Sequence, residues 1–262
     1  MDMALMVIGY VLALLVGLSL SLIGGGGSIL AVPIWKYVIG VPVKEAIAMS
    51  LFIVGVVSAI GAIPHWRQGN VNFRTAALFA PVAMAGTYLG AWLTRLPLIT
   101  PTVQLVAFGI VMVVASLLMI RKGGPTPLPA GEGILTEKKQ GFHLPKWVFI
   151  PLEGLVVGVL TGIVGVGGGF LIIPALVLLG GVPMKEAVGT SLLIIAFKSA
   201  TGFWGYLSQV TLDWTLLLGF TLTAGVGTLI GAYLSQFIEG KHLQKGFGYF
   251  VLVIAVFILV KR

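Results

Sequence analysis

The hydrophobic positions of this chain do not alternate with polar ones. They run in long stretches, and the polar residues gather in the breaks between them. Four stretches fill the first part, at about 4–39, 44–64, 73–95 and 102–120. Four more fill the second, at about 147–180, 185–207, 214–236 and 243–260. Most are near the length that crosses a bilayer core of about 30 Å as a helix. They are rich in Leu, Ile, Val, Ala and Gly without a period of two, which argues for helices and against a membrane barrel. The pattern predicts an all-α polytopic membrane protein.

Shifting the chain by 141 residues aligns the two parts without a gap. Gly17 falls on Gly158, Pro33 on Pro174, and Gly40-Val41-Pro42 on Gly181-Val182-Pro183. Lys44-Glu45-Ala46 falls on Lys185-Glu186-Ala187, Ser50 on Ser191, Ser58 on Ser199, Gln68 on Gln209, and Gly86-Thr87 on Gly227-Thr228. Residues 17–97 and 158–238 share 26 of 81 positions, and shared apolar composition alone would not place Pro, Lys, Glu and Gln in register. Fixed-offset self-similarity is the signature of a duplication. The expected organisation is an N-terminal transmembrane repeat over 1–120, a linker over 121–146 and a C-terminal repeat over 147–262. The linker carries Gly123-Gly124-Pro125, Pro127 and Pro129 with Arg121, Lys122, Lys138, Lys139 and Lys146, a surface composition whose basic residues place it in the cytoplasm.

The first stretch of each repeat sets the topology. About 35 residues as one straight helix would span roughly 52 Å, too long for a simple crossing. If glycines turn it back as a re-entrant hairpin, each repeat crosses three times and the repeats are inverted. If it is one broken, tilted crossing, each crosses four times and the repeats are parallel. Both stay open; the inverted arrangement is the expectation carried forward, since many transporters use it with broken helices.

Composition narrows the function. Only 9% of residues are charged and mean hydropathy is +1.10, so most of the outer surface must face lipid. The net charge of +8 fits cytoplasmic loop Lys and Arg, and the scattered basic residues form no nucleic-acid face. The chain has no Cys, and His65, His143 and His242 lie too far apart for a metal motif. No cofactor is expected. No Ser/His/Asp cluster or paired intramembrane acids point to an enzyme, and no Gly-x-x-x-x-Gly-Lys-Ser/Thr loop points to nucleotide use. The N-terminal apolar run lacks a basic leader and recurs in the second repeat, so it is expected to be a helix of the fold and not a cleaved signal.

The candidate chemistry lies in the duplicated segments. Gly24-Gly25-Gly26-Gly27 with Ser28, and Gly165-Val166-Gly167-Gly168-Gly169, interrupt apolar helices. Each glycine costs a helix about 1 kcal/mol against alanine, so the runs should unwind it. Unwound backbone within a membrane survives only in protein or beside a cavity, and a new helix start favours an anion. Gly24, Gly25, Gly26, Gly27, Ser28, Gly167, Gly168 and Gly169 are therefore expected at a substrate site. Isolated pairs such as Gly86/Gly90 read instead as helix packing. Glu45 and Glu186 suit the first turn of a helix after Pro42 and Pro183, with a gating ion pair as the alternative. Ser50 and Ser58, and Thr190-Ser191 with Ser199, place hydroxyls near one helix face, free to donate to an oxyanion or to bond their own helix carbonyls. Lys198 stands mid-helix with Val57 as its unduplicated counterpart, and an intramembrane charge is by default functional. Glu153, inside another apolar segment, is a candidate for proton coupling. Gln68 and Gln209 are candidates for a gate, beside the interfacial aromatics Trp66, Trp204 and Tyr206.

These motifs resemble the sulfite exporter TauE/SafE family of bacterial and archaeal transporters. The likeness rests on Gly165 through Pro174 with Ala187-Val188-Gly189-Thr190-Ser191, and on Gly24 through Pro33 with Ala46-Ile47-Ala48-Met49-Ser50. It implies a substrate that is sulfite, thiosulfate or a sulfonate, often moved outward. The first repeat departs from Gly-Thr-Ser at Ala48-Met49, which weakens a hydroxyl role in that copy. The expectation is a secondary transporter in the inner or plasma membrane, working by alternating access between the repeats. An anion channel, or a transporter of another small anion, is the alternative. The anion, coupling ion, direction and oligomeric state stay open.

Overall fold

A computed structural model describes residues 3–25, 27–93, 101–121, 146–164, 169–207 and 210–260. Among these there is no strand. The helices are α1 (Met3–Ile23), α2 (Gly27–Pro33), α3 (Val43–Arg67), α4 (Phe73–Leu93), α5 (Pro101–Arg121), α6 (Lys146–Val164), α7 (Gly169–Pro174), α8 (Met184–Leu207), α9 (Trp214–Phe237) and α10 (Gly240–Val260). Leu5–Ile23, Lys44–Arg67, Met184–Gly205 and Trp214–Phe237 are long and apolar enough to cross a bilayer. Large apolar side chains lie on the outside, Leu222 at 72% exposure and Val253 at 69%, which only a lipid surround makes favourable. Linker residues 122–145 lie outside the described residues.

The first long stretch divides into two helices, and in the second the described residues are those on either side of 165–168. In the first, α1 ends at Ile23, Gly24 takes φ +68°, and α2 begins at Gly27 and continues as a wide π-helical segment over Ile34–Ile39. α2 lies back along α1: a Cβ on Gly27 would strike the Val16 carbonyl, and one on Gly9 would come within 2.8 Å of Ile39. In the second, α7 likewise continues into a π segment over Ala175–Leu179. Both end alike, with Val41 N–H donating to Trp35 O at 3.0 Å and Val182 N–H to Leu176 O at 2.9 Å. Gly40 at φ +81° and Gly181 at φ +65° then turn the chain in a conformation that a β-carbon would strain. Pro42 and Pro183 follow, and α3 and α8 start with Glu45 and Glu186 in their first turns.

Lipid supplies no hydrophobic drive between helices, so close packing of small residues holds them together. α1 packs on α9 and α6 packs on α4. A Cβ on Gly17 of α1 would overlap the Ala224 carbonyl oxygen, and one on Gly158 of α6 the Ala83 carbonyl oxygen. These are the same contact at the 141-residue offset. Gly227 against the Leu14 carbonyl repeats Gly86 against the Leu155 carbonyl. Gly9 meets Phe220, Gly17 meets Ala224 and Leu18 meets Gly231, so α1 and α9 run parallel. α3 and α8 pack with opposite sense: Leu51 meets Gly202, Gly55 meets Ser199 and Gly61 meets Leu192. α5 and α10 complete the bundle, joined where Gln244 Nε2 donates to Met119 O at 3.2 Å.

Candidate functional site

The site is built on one face of α8. Ser191, Ile195 and Lys198 stand four and three residues apart, so they form one stripe along the helix. Ser191 Oγ lies 2.6 Å from the Gly24 carbonyl oxygen and 2.8 Å from the Val188 carbonyl oxygen, its hydroxyl donating to them. Gly24 is fixed by its neighbours as well as by its φ, since a Cβ there would fall 2.8 Å from the Val188 Cα. Ile195 meets the start of α7: its Cδ1 would lie 2.8 Å from a Cβ on Gly169, with Ser28 Oγ at 3.2 Å from the same point. Ser28 Oγ itself donates to Gly25 O at 2.7 Å. The starts of α2 and α7 therefore meet against α8.

Lys198 completes the stripe. Its Nζ donates to Thr161 Oγ1 of α6 at 3.0 Å, and Thr161 Oγ1 lies 3.3 Å from Thr87 Oγ1 of α4. Thr161 and Thr87 also donate to carbonyls of their own helices, Gly158 and Ala83. No carboxylate forms an ion pair with Lys198 among the described residues. One cation thus stands beside two hydroxyls, one helical turn from the meeting point of Ser28 and Gly169. An ammonium carries three protons, so Lys198 keeps donors for the oxygens of a small anion after bonding Thr161, whereas the hydroxyl protons of Thr161, Thr87, Ser191 and Ser28 are held by backbone carbonyls.

Several expected residues lie elsewhere. Ser199 faces α3, at the crossing where Gly55 approaches it. Ser50 and Ser58 are buried, and their hydroxyls have no hydrogen-bond partner among the described residues. Thr190 Oγ1 accepts from the Asn72 backbone N–H at 2.9 Å, while Asn72 Nδ2 donates to Glu186 at 2.8 Å. Thr190 and Glu186 thereby hold the α3–α4 turn against α8. Glu153 is 4% exposed, beside Gly180, with neither carboxyl oxygen hydrogen-bonded among the described residues. It stands eight residues before Thr161 on α6, about 12 Å along the helix axis, so it is not part of the Lys198 group. Gln68 caps the end of α3, its backbone N–H bonded to Pro64 O, and does not join the stripe. Gly26, Gly167, Gly168 and Gln209 lie outside the described residues, as do Gly165 and Val166.

Two residues of the Lys198 group escape the sequence reading. Thr161 and Thr87 look like ordinary helix threonines, and only the packing of α4, α6 and α8 brings them to Lys198. A contact outside that group, between His65 and Ser21, is likewise unmarked in the sequence. His65 is 2% exposed with Nε2 3.1 Å from the Ser21 carbonyl oxygen, although its neighbours Trp66 and Arg67 mark the helix end as exposed.

The family described as Sulfite exporter TauE/SafE matches residues 10–258 of this chain. The chain belongs to that family. A probable membrane transporter protein of Xylella fastidiosa (strain 9a5c) is similar, 34% identical over 251 residues covering 94% of this chain and 91% of the other. The probable membrane transporter protein YunE of Bacillus subtilis (strain 168) is 29% identical over 250 residues, 90% of this chain and 91% of the other. A probable membrane transporter protein of Haemophilus influenzae is 26% identical over 271 residues, 94% and 95% of the two chains. No solved structure matches. As a TauE/SafE protein with long apolar helices, the chain is a multi-pass membrane protein of a transporter family. The plasma membrane is the usual location of such bacterial transporters.

Proposed function

We propose that this TauE/SafE protein is a secondary transporter of a small sulfur oxyanion or organosulfonate, sulfite-like, moved outward by alternating access around the α8 stripe. The observation that carries this reading is Lys198, an intramembrane ammonium held on Thr161 beside Thr87, with no acidic partner among the described residues. An intramembrane cation kept free of carboxylates is available to a mobile anion. The family description names sulfite and export, which supports both substrate class and direction.

The two halves are inverted repeats, 1–120 and 147–262, joined by a cytoplasmic linker over 121–146. Support comes from the equivalent helices α3 and α8, whose contacts run in opposite sense. Helices related by an axis along the membrane normal would run the same way. Each repeat opens with a glycine-broken re-entrant hairpin: α2 lies back along α1, and its start meets that of α7. Moving one hairpin against α8 opens the stripe to one side at a time. Glu153 carries the coupled proton, as a buried carboxyl with no hydrogen-bond partner among the described residues.

Proteoliposomes of purified protein test this. Saturable sulfite flux, inhibited by thiosulfate or a small sulfonate more than by chloride, is expected. Glu153→Gln should remove the effect of a pH gradient and keep sulfite exchange. Unsaturable currents would replace the transporter by a channel. Saturable flux of another anion, with no competition by sulfur oxyanions, would overturn the substrate class.

A further inference from the structure

The ends of α3, α8, α9 and α10 share one face of the bundle. Gly240 at the start of α10 lies near Met184 and Lys185 at the start of α8, and Lys185 Nζ donates to Gln236 O near the end of α9, at 3.2 Å. This face carries Arg67, Lys185, Lys241 and Lys245, with Arg74 in the first turn of α4. Among the described residues its acids are engaged: Glu239 lies 3.6 Å from His242, and Glu186 accepts from Asn72. By the bias of Lys and Arg toward the cytoplasm, this end faces the inner leaflet.

A groove of about 350 Å³ opens between α3 and α9 at this end, lined by Ile60, Ile63, Pro64, Arg67, Gln68, Leu229 and Gln236. Its two ends differ in chemistry. Ile60, Ile63 and Leu229 form an apolar wall toward the membrane interior, and Ile63 and Leu229 are about half exposed. Arg67, Gln68 and Gln236 form a polar rim. Arg67 makes no ion pair among the described residues, and Gln68 Nε2 has no hydrogen-bond partner among them. A guanidinium offers a two-pronged fit to phosphate, and amide donors extend it.

We propose that this groove binds an anionic phospholipid of the inner leaflet. The headgroup phosphate lies on Arg67 with Gln68 and Gln236, and an acyl chain lies along Ile60, Ile63 and Leu229. A free phosphate satisfies the rim and leaves the apolar wall bare, whereas a zwitterionic lipid covers the wall and adds its own cation to a basic rim. Only a lipid with net negative charge matches both ends, and inner leaflets attract such basic pockets. The lipid would brace the end of α3 against α9.

Native mass spectrometry of the detergent-purified protein, titrated with phosphatidylglycerol or phosphatidylcholine, tests the assignment. Phosphatidylglycerol should be retained with at least tenfold preference. Arg67→Gln should bring that preference to within twofold of parity. Leu229→Trp should fill the apolar wall and lower retention without changing any charge, and a thermal melt checks that both variants stay folded. Equal retention of the two lipids, or a preference unchanged in both folded variants, overturns the proposal. Thermal stabilisation by inorganic phosphate or sulfite equal to that by phosphatidylglycerol would also overturn it, assigning the rim to a free anion.

Discussion

The stripe Ser191–Ile195–Lys198 on α8 has a counterpart on α3, Ser50–Val54–Val57, at the same 141-residue offset. The backbone around the two is built alike: Gly158 lies against the Ala83 carbonyl in one corner and Gly17 against the Ala224 carbonyl in the other. The side chains differ. Lys198 reaches Thr161, which in turn meets Thr87, whereas Val57, Leu20 and Thr228 occupy the equivalent places, with Val57 and Leu20 fully buried. Thr228 turns instead to the Gly17 carbonyl at 3.0 Å. Duplication preserved the packing that both copies need, while the charge stands in only one. On the proposed reading one cation serves one anion, and a second buried charge would add a desolvation cost of several kcal/mol.

Breaking the α8 corner should have the largest effect on function. Lys198→Met keeps the length and removes the charge; losing a buried charge contact of about 3 kcal/mol lowers sulfite flux about 100-fold. Adding Val57→Lys should not restore flux. It places an ammonium where no hydroxyl corresponds to Thr161, and the double variant should melt well below the single one. Recovery of transport would show the two corners to be interchangeable.

The packing should respond equally in both copies. Gly17→Ala and Gly158→Ala each force a methyl group onto a carbonyl of a neighbouring helix, and overpacking of this kind costs about 1–3 kcal/mol. Matched losses of thermal stability in detergent are expected. Tolerance of one and failure of the other would break the symmetry claimed for the scaffold.

Smaller effects separate the hydroxyls. Thr161→Val removes the acceptor for Lys198 and the bond to the Gly158 carbonyl, and should lower flux about tenfold with a loss of stability of about 1–3 kcal/mol. Thr228→Val removes a neutral hydrogen bond to Gly17 worth about 1 kcal/mol and should lower stability without touching flux. The reverse pattern would assign the chemistry to the wrong corner.

The helices and the duplication were legible because lipid imposes a strong rule, that long apolar runs become helices, and because residues aligned at a fixed offset mark a repeat. Pro42 and Pro183 marked the starts of α3 and α8 to within a residue. Lys198 stood out because a charge inside an apolar run is costly to bury and is retained where it does work on a substrate or a partner. What lay beyond the sequence were contacts between helices far apart in the chain. Thr190 carries a hydroxyl suited to an anion, yet it accepts from the Asn72 backbone, 118 residues away. Thr161 satisfies its own helix carbonyl at Gly158, as membrane threonines commonly do, and its second contact depends on how α6 meets α8. His65 shares a helix end with Trp66 at 59% exposure but faces inward at 2%, because only one side of that turn looks out of the bundle. Ser191 and Ser50 are aligned in sequence, but the hydrogen bond to the Gly24 carbonyl is a tertiary contact of Ser191.

Lys198 on the α8 stripe is proposed to handle the transported anion. The most direct test is the initial rate of sulfite flux in proteoliposomes, measured across sulfite concentration for the native protein and for Lys198→Met of equal yield and equal melting temperature. Saturable flux in the native protein and about a hundredfold loss in the variant are expected. Saturable flux that survives unchanged in Lys198→Met would contradict the proposal.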